Sequence, residues 1–379
     1  MSKRYNELDS LRGLAAFSVM LHHLTLVFAS LGVIDILAGT PVHLFWAGHP
    51  AVIFFFVLSG FVLSLPYYSR NEASYWTFVR RRVIRIYVPY AVAITVAIIL
   101  ETLFSRHGIP FLGGWFNMIW VDRLNLNLFL DHLFMIGDYK NYAYDPVIWS
   151  LIHEMRISLI FPLLMLLVKR AHWSVNLLTG IALSIFAMAY KALVLQRIPF
   201  YADYGSAYTD SLHYVLMFIA GALLAKHRHF LVETLRKLSG WMKIAVLLAA
   251  VLLYTYGYWF PRGWPIMHLW IFEDWIITIG AATFLIMALA SSRMSRVLLW
   301  RPIHFVGRMS YTLYLYHAIC IMTLFNLLYG VIPTWIISAM VIVTALLVSA
   351  LAHYAVEVPA IRWARSIGSR RAASTAVGS

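Results

Sequence analysis

MSKRYNELDSLRGLAAFSVMLHH, residues 1–23, has two readings. A basic start followed by an apolar stretch is the outline of a cleaved signal peptide. No small-residue cleavage site follows, however, and His22 and His23 interrupt the apolar run, so the segment is expected to remain as a first membrane helix. The rest of the chain agrees. Of 379 residues 62% are hydrophobic and 12% charged, with a mean hydropathy of +0.76, well outside the range of a water-soluble domain. A hydrocarbon core about 30 Å thick is crossed by roughly 20 apolar helical residues. Runs of that kind recur near 11–32, 50–66, 82–104, 147–168, 174–195, 210–226, 242–260, 273–290, 310–330 and 334–356. The expected fold is all-α, a polytopic membrane helix bundle of about ten transmembrane helices. An integral domain over 1–363 is followed by a cytoplasmic tail, 364–379, of disordered composition.

A formal charge of +14 raises the question of nucleic acid, but that reading needs a basic face on a soluble fold. Here Lys and Arg fall in short clusters between apolar runs, as they do where a membrane protein sets its orientation and meets anionic lipid. The segments holding Lys3, Arg4 and Arg12; Arg70, Arg80, Arg81, Arg82 and Arg85; Lys169 and Arg170; and the later clusters after 226, 293 and 362 carry 23 of the 30 basic residues. By the positive-inside rule these segments and both termini are cytoplasmic. The longest connection, about 105–146, then faces outward; its LNLNLFLDHLFM stretch is too short to span and suits an interfacial or re-entrant helix. Cys320 is the single cysteine, so neither a disulfide framework nor a thiolate metal site arises, and no metal is expected.

Ionisable groups inside apolar runs are costly and mark where function is sought first. Arg12 and His23 are eleven residues apart, which returns to within about 20° of the same helical face some 16 Å further along the axis. His22 points about 100° away. In the fourth run Asp145-Pro146 has the character of a helix start, and Ser150 and Glu154 then share a face, with Glu154 at a depth comparable with His23. A carboxylate level with an imidazole suggests a base and its orienting partner, against the alternative of an ion pair from Glu154 to an Arg of a neighbouring helix. Arg82 and Arg85, three apart, suit a two-point grip on phosphate groups. SYTLYLYH places His317 about two turns into the ninth span, with His353 and Glu357 as structural neighbours.

Together these residues resemble the membrane-bound acyltransferase-3 family, which includes bacterial O-acetyltransferases acting on surface polysaccharides. The resemblance runs over about residues 5–363. It rests on LDSLRGLAAFSVMLHH (8–23), FFFVLSGFVL (54–63), RRRVIRIYVP (80–89), WSLIHEMRISLIFP (149–162), SYTLYLYH (310–317) and VEVP (356–359). It implies a multi-pass protein of the bacterial inner membrane that moves an acyl group, commonly acetyl from cytoplasmic acetyl-CoA, to a hydroxyl of a carbohydrate or lipid-linked glycan. Acyl-CoA is then a donor substrate rather than a resident cofactor. The other partners implied are lipid and glycan, not nucleic acid. By the same resemblance His23 is the catalytic histidine and Arg12 its motif partner. Arg82 and Arg85 hold CoA, and Glu154 matches the acidic position of the motif in the fourth run. From the residues themselves, Glu154 is expected to act with His23 in catalysis, and Ser150 and His317 are expected to join Arg12, Arg82 and Arg85 in binding substrate. Ile53 departs from the pattern, because many members carry Asp there; His49 is the nearest polar replacement in sequence. The competing reading is a proton-coupled transporter that uses the same His and Glu as a relay.

Overall fold

A computed structural model describes residues 5–28, 30–69, 72–122, 125–196 and 204–367, and they form a helix bundle with no strand among them. Its main helices are α1 (Asn6–Leu26), α2 (Gly48–Ser64), α3 (Tyr75–Phe104), α4 (Ile148–Arg170), α5 (Trp173–Leu193), α6 (Tyr208–Lys237), α7 (Gly240–Tyr254), α8 (Trp270–Ala290), α9 (Ser310–Leu328) and α10 (Thr334–Ala352). Eight of the ten are long and apolar enough to cross a bilayer, which makes the chain a multi-pass membrane protein. The other two are α1, which carries Glu7, Asp9 and Arg12, and α7, which has 15 residues.

Several boundaries differ from expectation for local reasons. α1 runs from 6 to 26 rather than 11 to 32. Glu7 and Asp9 favour the first turn of a helix, and the chain turns away at Val27, whose carbonyl accepts the Gly113 N–H at 2.7 Å. α3 starts at Tyr75, capped by Ser74, so Arg80, Arg81, Arg82 and Arg85 lie within a helix and not in a loop before one. α4 starts at Ile148. Asp145 stands just before it, its carboxylate accepting the Val147 N–H at 3.4 Å, and burial holds its carboxyl well above the usual range. α10 passes through a π-helical turn, His353–Glu357, into Val358–Ser366. The expected tail therefore begins with helical residues, and 368–379 lie outside the described residues, as do Lys3, Arg4, Arg70, Arg123, Arg197, Arg370 and Arg371 from the charge reading. In the 105–146 connection, Leu126–Phe134 forms a nine-residue helix capped by Asn125.

The bundle closes through glycines, since helices in lipid associate by close van der Waals approach rather than by hydrophobic burial. α2 crosses α6 backbone to backbone: a Cβ at Gly221 would lie 2.0 Å from the Val57 carbonyl oxygen, and one at Gly60 2.2 Å from that of Phe218. Gly13 of α1 meets Gly307 of the short helix Arg301–Arg308 in the same way. Because a carbonyl cannot rotate out of the way as a side chain can, Gly221→Leu is expected to cost at least the ~1–3 kcal/mol usual for overpacking. The readout is a lower fraction of monodisperse protein after detergent extraction; an unchanged yield contradicts this crossing. α9 is buried nearly all round and forms the wall against which the polar residues collect.

Candidate active site

α1 and α9 meet at a pair of imidazoles. His23 lies in the last turn of α1, and its Nδ1 is 2.8 Å from Nε2 of His317, which stands near the middle of α9 and is 0% exposed. His317 Nδ1 is 2.9 Å from the Leu313 carbonyl oxygen. A carbonyl only accepts, so this nitrogen carries a proton; in the neutral pair His317 Nε2 is then an acceptor and receives the Nδ1–H of His23. That leaves His23 Nε2 with a bare lone pair, on a ring that is only partly buried. The ring is held parallel to Trp115, with centroids 4.8 Å apart. Trp115 reaches it because Gly113 packs against the end of α1, where a Cβ would lie 2.4 Å from the Leu26 carbonyl oxygen.

A second cluster lies toward the start of α9. Arg82 donates through Nε to Ser158 Oγ at 3.0 Å and pairs through Nη2 with Glu154, whose Oε1 also accepts the Ser59 hydroxyl at 2.7 Å. Arg85, one turn further along α3, lies in the field of Arg82, Arg12, Glu357 and Glu154, yet makes no hydrogen bond or ion pair among the described residues and is exposed. Arg12 is held by Asp9, with Nη1 3.2 Å from its carboxylate. The result is three guanidinium groups and three carboxylates, with Arg12 paired to Asp9, Arg82 paired to Glu154, and Arg85 left to bind an anion.

The expected pairing of Glu154 with His23 is corrected by this arrangement. Glu154 belongs to the arginine cluster beside Tyr311, which feels Glu154, Glu357, Arg82 and Arg85, and Tyr311 precedes His317 by six residues, about 9 Å along α9. The two spans start at different levels, so equal distances from their ends do not give equal depth. Between the clusters, Tyr314 shares a 2.7 Å hydrogen bond with Ser150, which is buried and also donates to the Val147 carbonyl oxygen; Ser150 thus supports Tyr314 rather than facing open space. His153 and Arg156 tie the connecting segments, His153 to Ser211 and Gly205, and Arg156 to Ile136, Gly137 and Ser206.

Residues that sequence reasoning did not single out complete the site. Ser158 accepts from Arg82 of α3 and Ser59 donates to Glu154 of α4, which together fix the Arg82–Glu154 pair; both serines lie in the quoted motifs. Glu357, read only as structural, acts on Arg85 through its field and is held at the π-helical turn by His353, whose Nδ1 meets its carboxylate at 2.7 Å. Ile53 is fully buried in the core. His49, the polar residue one turn before it, instead meets Asp274 of α8. No group of three or more His, Cys, Asp or Glu among the described residues is placed to hold a metal ion.

A family model described as an acyltransferase domain, Acyl_transf_3, matches residues 5–354. No curated protein and no solved structure matches the chain.

Proposed function

We propose, from the premise that the chain belongs to the Acyl_transf_3 acyltransferase family, that this multi-pass membrane acyltransferase takes an acyl group, acetyl foremost, from cytoplasmic acyl-CoA. It delivers the group to a hydroxyl of a cell-envelope carbohydrate or lipid-linked glycan in the bacterial inner membrane. The observation that carries the reading is the bare Nε2 of His23, oriented by His317 and standing along α9 from a guanidinium cluster with a free member.

A thioester is already activated, so the enzyme must hold it, accept its acyl group and admit the acceptor. Arg12, Arg82 and Arg85 supply cationic donors for the phosphates of CoA at the cytoplasmic mouth. The Glu154–Arg82 pair fixes one of them, so that its fork is set before the ligand arrives. The pantetheine arm then points the thioester toward His23, which lies about 16 Å along α1 from Arg12. His23 Nε2 attacks the carbonyl carbon, the C–S bond breaks and CoA leaves as thiolate. The Nδ1–H remains shared with His317. Since His317 is a neutral partner, it orients the ring without supplying a counter-charge, and the nitrogen remains a nucleophile.

His317→Phe keeps the ring volume but removes the acceptor that selects the tautomer. It is expected to lower kcat by roughly 10²-fold with the KM for acyl-CoA unchanged; a variant altered only in KM contradicts the orienting role. The function itself is tested with radiolabelled acetyl-CoA added to inverted membrane vesicles. Label on envelope glycan is expected, and solute flux without covalent transfer overturns the reading.

A further inference from the structure

We propose that His49, backed by Asp274, is the base that takes the proton of the acceptor hydroxyl, in a recess it shares with His22 and His43. The inference rests on the acyltransferase reading above and adds the acceptor half of the reaction.

Asp274 is fully buried between two imidazoles. His49 Nε2, in the first turn of α2, is 2.5 Å from its Oδ1, and His213 Nε2 of α6 is 3.0 Å from its Oδ2. His213 Nδ1 is 2.5 Å from Ser184 Oγ of α5, which also accepts the indole N–H of Trp275 at 3.1 Å. The direction of every proton follows. The carboxylate accepts from both histidines, so both carry Nε2–H. Trp275 only donates, so Ser184 gives its own proton to His213 Nδ1. One nitrogen of these two histidines is left over, His49 Nδ1, which is buried without a hydrogen-bond partner.

Two more nitrogens nearby are in the same condition, His22 Nδ1 and His43 Nε2. His43 Nδ1 lies 3.0 Å from the Ala38 carbonyl oxygen and donates to it, so its Nε2, too, offers a lone pair in the neutral ring. His22 feels both His43 and His49, and its ring centroid is 6.5 Å from that of His43 and 5.7 Å from that of His23. Gly48 is what lets His22 lie against the start of α2, since a Cβ there would come within 2.3 Å of the imidazole. Buried polar atoms without partners call for an explanation, and this set is not placed for metal. His49 Nδ1 and His43 Nε2 are lone pairs that lack a hydrogen donor, and a hydroxyl-bearing ligand supplies one. The His49 side chain is 12% exposed and His22 is only partly buried, so these rings are not sealed in the core.

The two histidines also differ in what stands behind them. His23 is backed by a neutral imidazole and a carbonyl, whereas His49 is backed by a carboxylate, the partner that offsets an imidazolium charge. Unlike environments for two like groups assign unlike roles: His23 takes the acyl group and His49 the proton. In the second half-reaction the acceptor oxygen attacks the acyl carbon on His23, its proton passes to His49 Nδ1, and the C–N bond breaks to return its electron pair to His23 Nε2. The products are the ester and a protonated His49 paired with Asp274; that proton leaves to solvent before the next turnover and balances the thiolate of the first half-reaction.

Two assays on the same vesicles separate the half-reactions. Exchange of labelled CoA into acetyl-CoA without acceptor reads acylation of His23, and transfer of labelled acetyl to envelope glycan reads the whole reaction. His49→Gln is expected to keep exchange near the wild-type rate and to lower transfer by about 10²-fold or more, with Asp274→Asn lying between. Trifluoroethanol, an acceptor whose hydroxyl is more acidic, is expected to recover most of the transfer lost in His49→Gln, because it needs less help from a base. Transfer undiminished in His49→Gln overturns the proposal. So does a parallel loss of exchange and transfer, with no recovery by trifluoroethanol, since a purely structural network lowers both alike. A wild-type protein that shows neither reaction sinks the acyltransferase reading itself, and the base with it.

Discussion

His23→Gln is expected to lower acyl transfer by at least about 10³-fold, roughly 4 kcal/mol of transition-state stabilisation. Gln is the informative replacement because its amide N–H can still donate to His317 Nε2, the bond that holds α1 to α9 at this level. Membrane insertion and extraction from the bilayer should be unaffected, whereas the nucleophilic nitrogen is gone. The neighbouring His22 points to a different face of α1, so neither of its nitrogens stands where the Nε2 of His23 does. Retained transfer in this variant, measured with labelled acetyl-CoA in inverted vesicles, removes His23 from the chemistry.

Arg85→Ala is expected to raise the KM for acyl-CoA by about 10- to 100-fold while leaving kcat nearly unchanged, the worth of one hydrogen-bonded charge on a phosphate. The variant is clean for a structural reason. Arg85 has no partner to strand among the described residues, and its neighbours include the like charges of Arg82 and Arg12. Removing it therefore relieves repulsion, and the unfolding temperature in detergent should hold or rise. A fall in kcat with KM constant, or a large loss of stability, contradicts a donor-binding role. Glu154→Gln makes the opposite case, because it leaves the Arg82 guanidinium without its counter-charge.

The helix bundle was legible because membrane spans are dictated locally: each long apolar run has a helix under it whatever its neighbours do. Helix ends were less so. α1 slid five residues toward the N-terminus because Glu7 and Asp9, read as preceding the span, are good first-turn residues, and α3 grew by seven because Ser74 caps it. Arg12 and His23 could be placed on one face from periodicity alone. Partners could not, since they depend on which helices adjoin and at what height. Counting residues from span ends puts Glu154 level with His23, a measure that fails when helices begin at different levels. The contacts among His49, Asp274 and His213 join α2, α8 and α6 across more than 200 residues of sequence, and nothing local in any of the three announces the others. Glu357 acts on Arg85 from a π-helical turn that the periodicity of its run does not betray.

Peptide mass spectrometry of the wild-type protein, quenched after exposure to labelled acetyl-CoA with no acceptor present, addresses the central claim most directly. The account predicts one acyl unit on the peptide that contains His23, removed by hydroxylamine and absent from His23→Gln. Label that settles on another residue, or continued turnover with no label on that peptide, contradicts it.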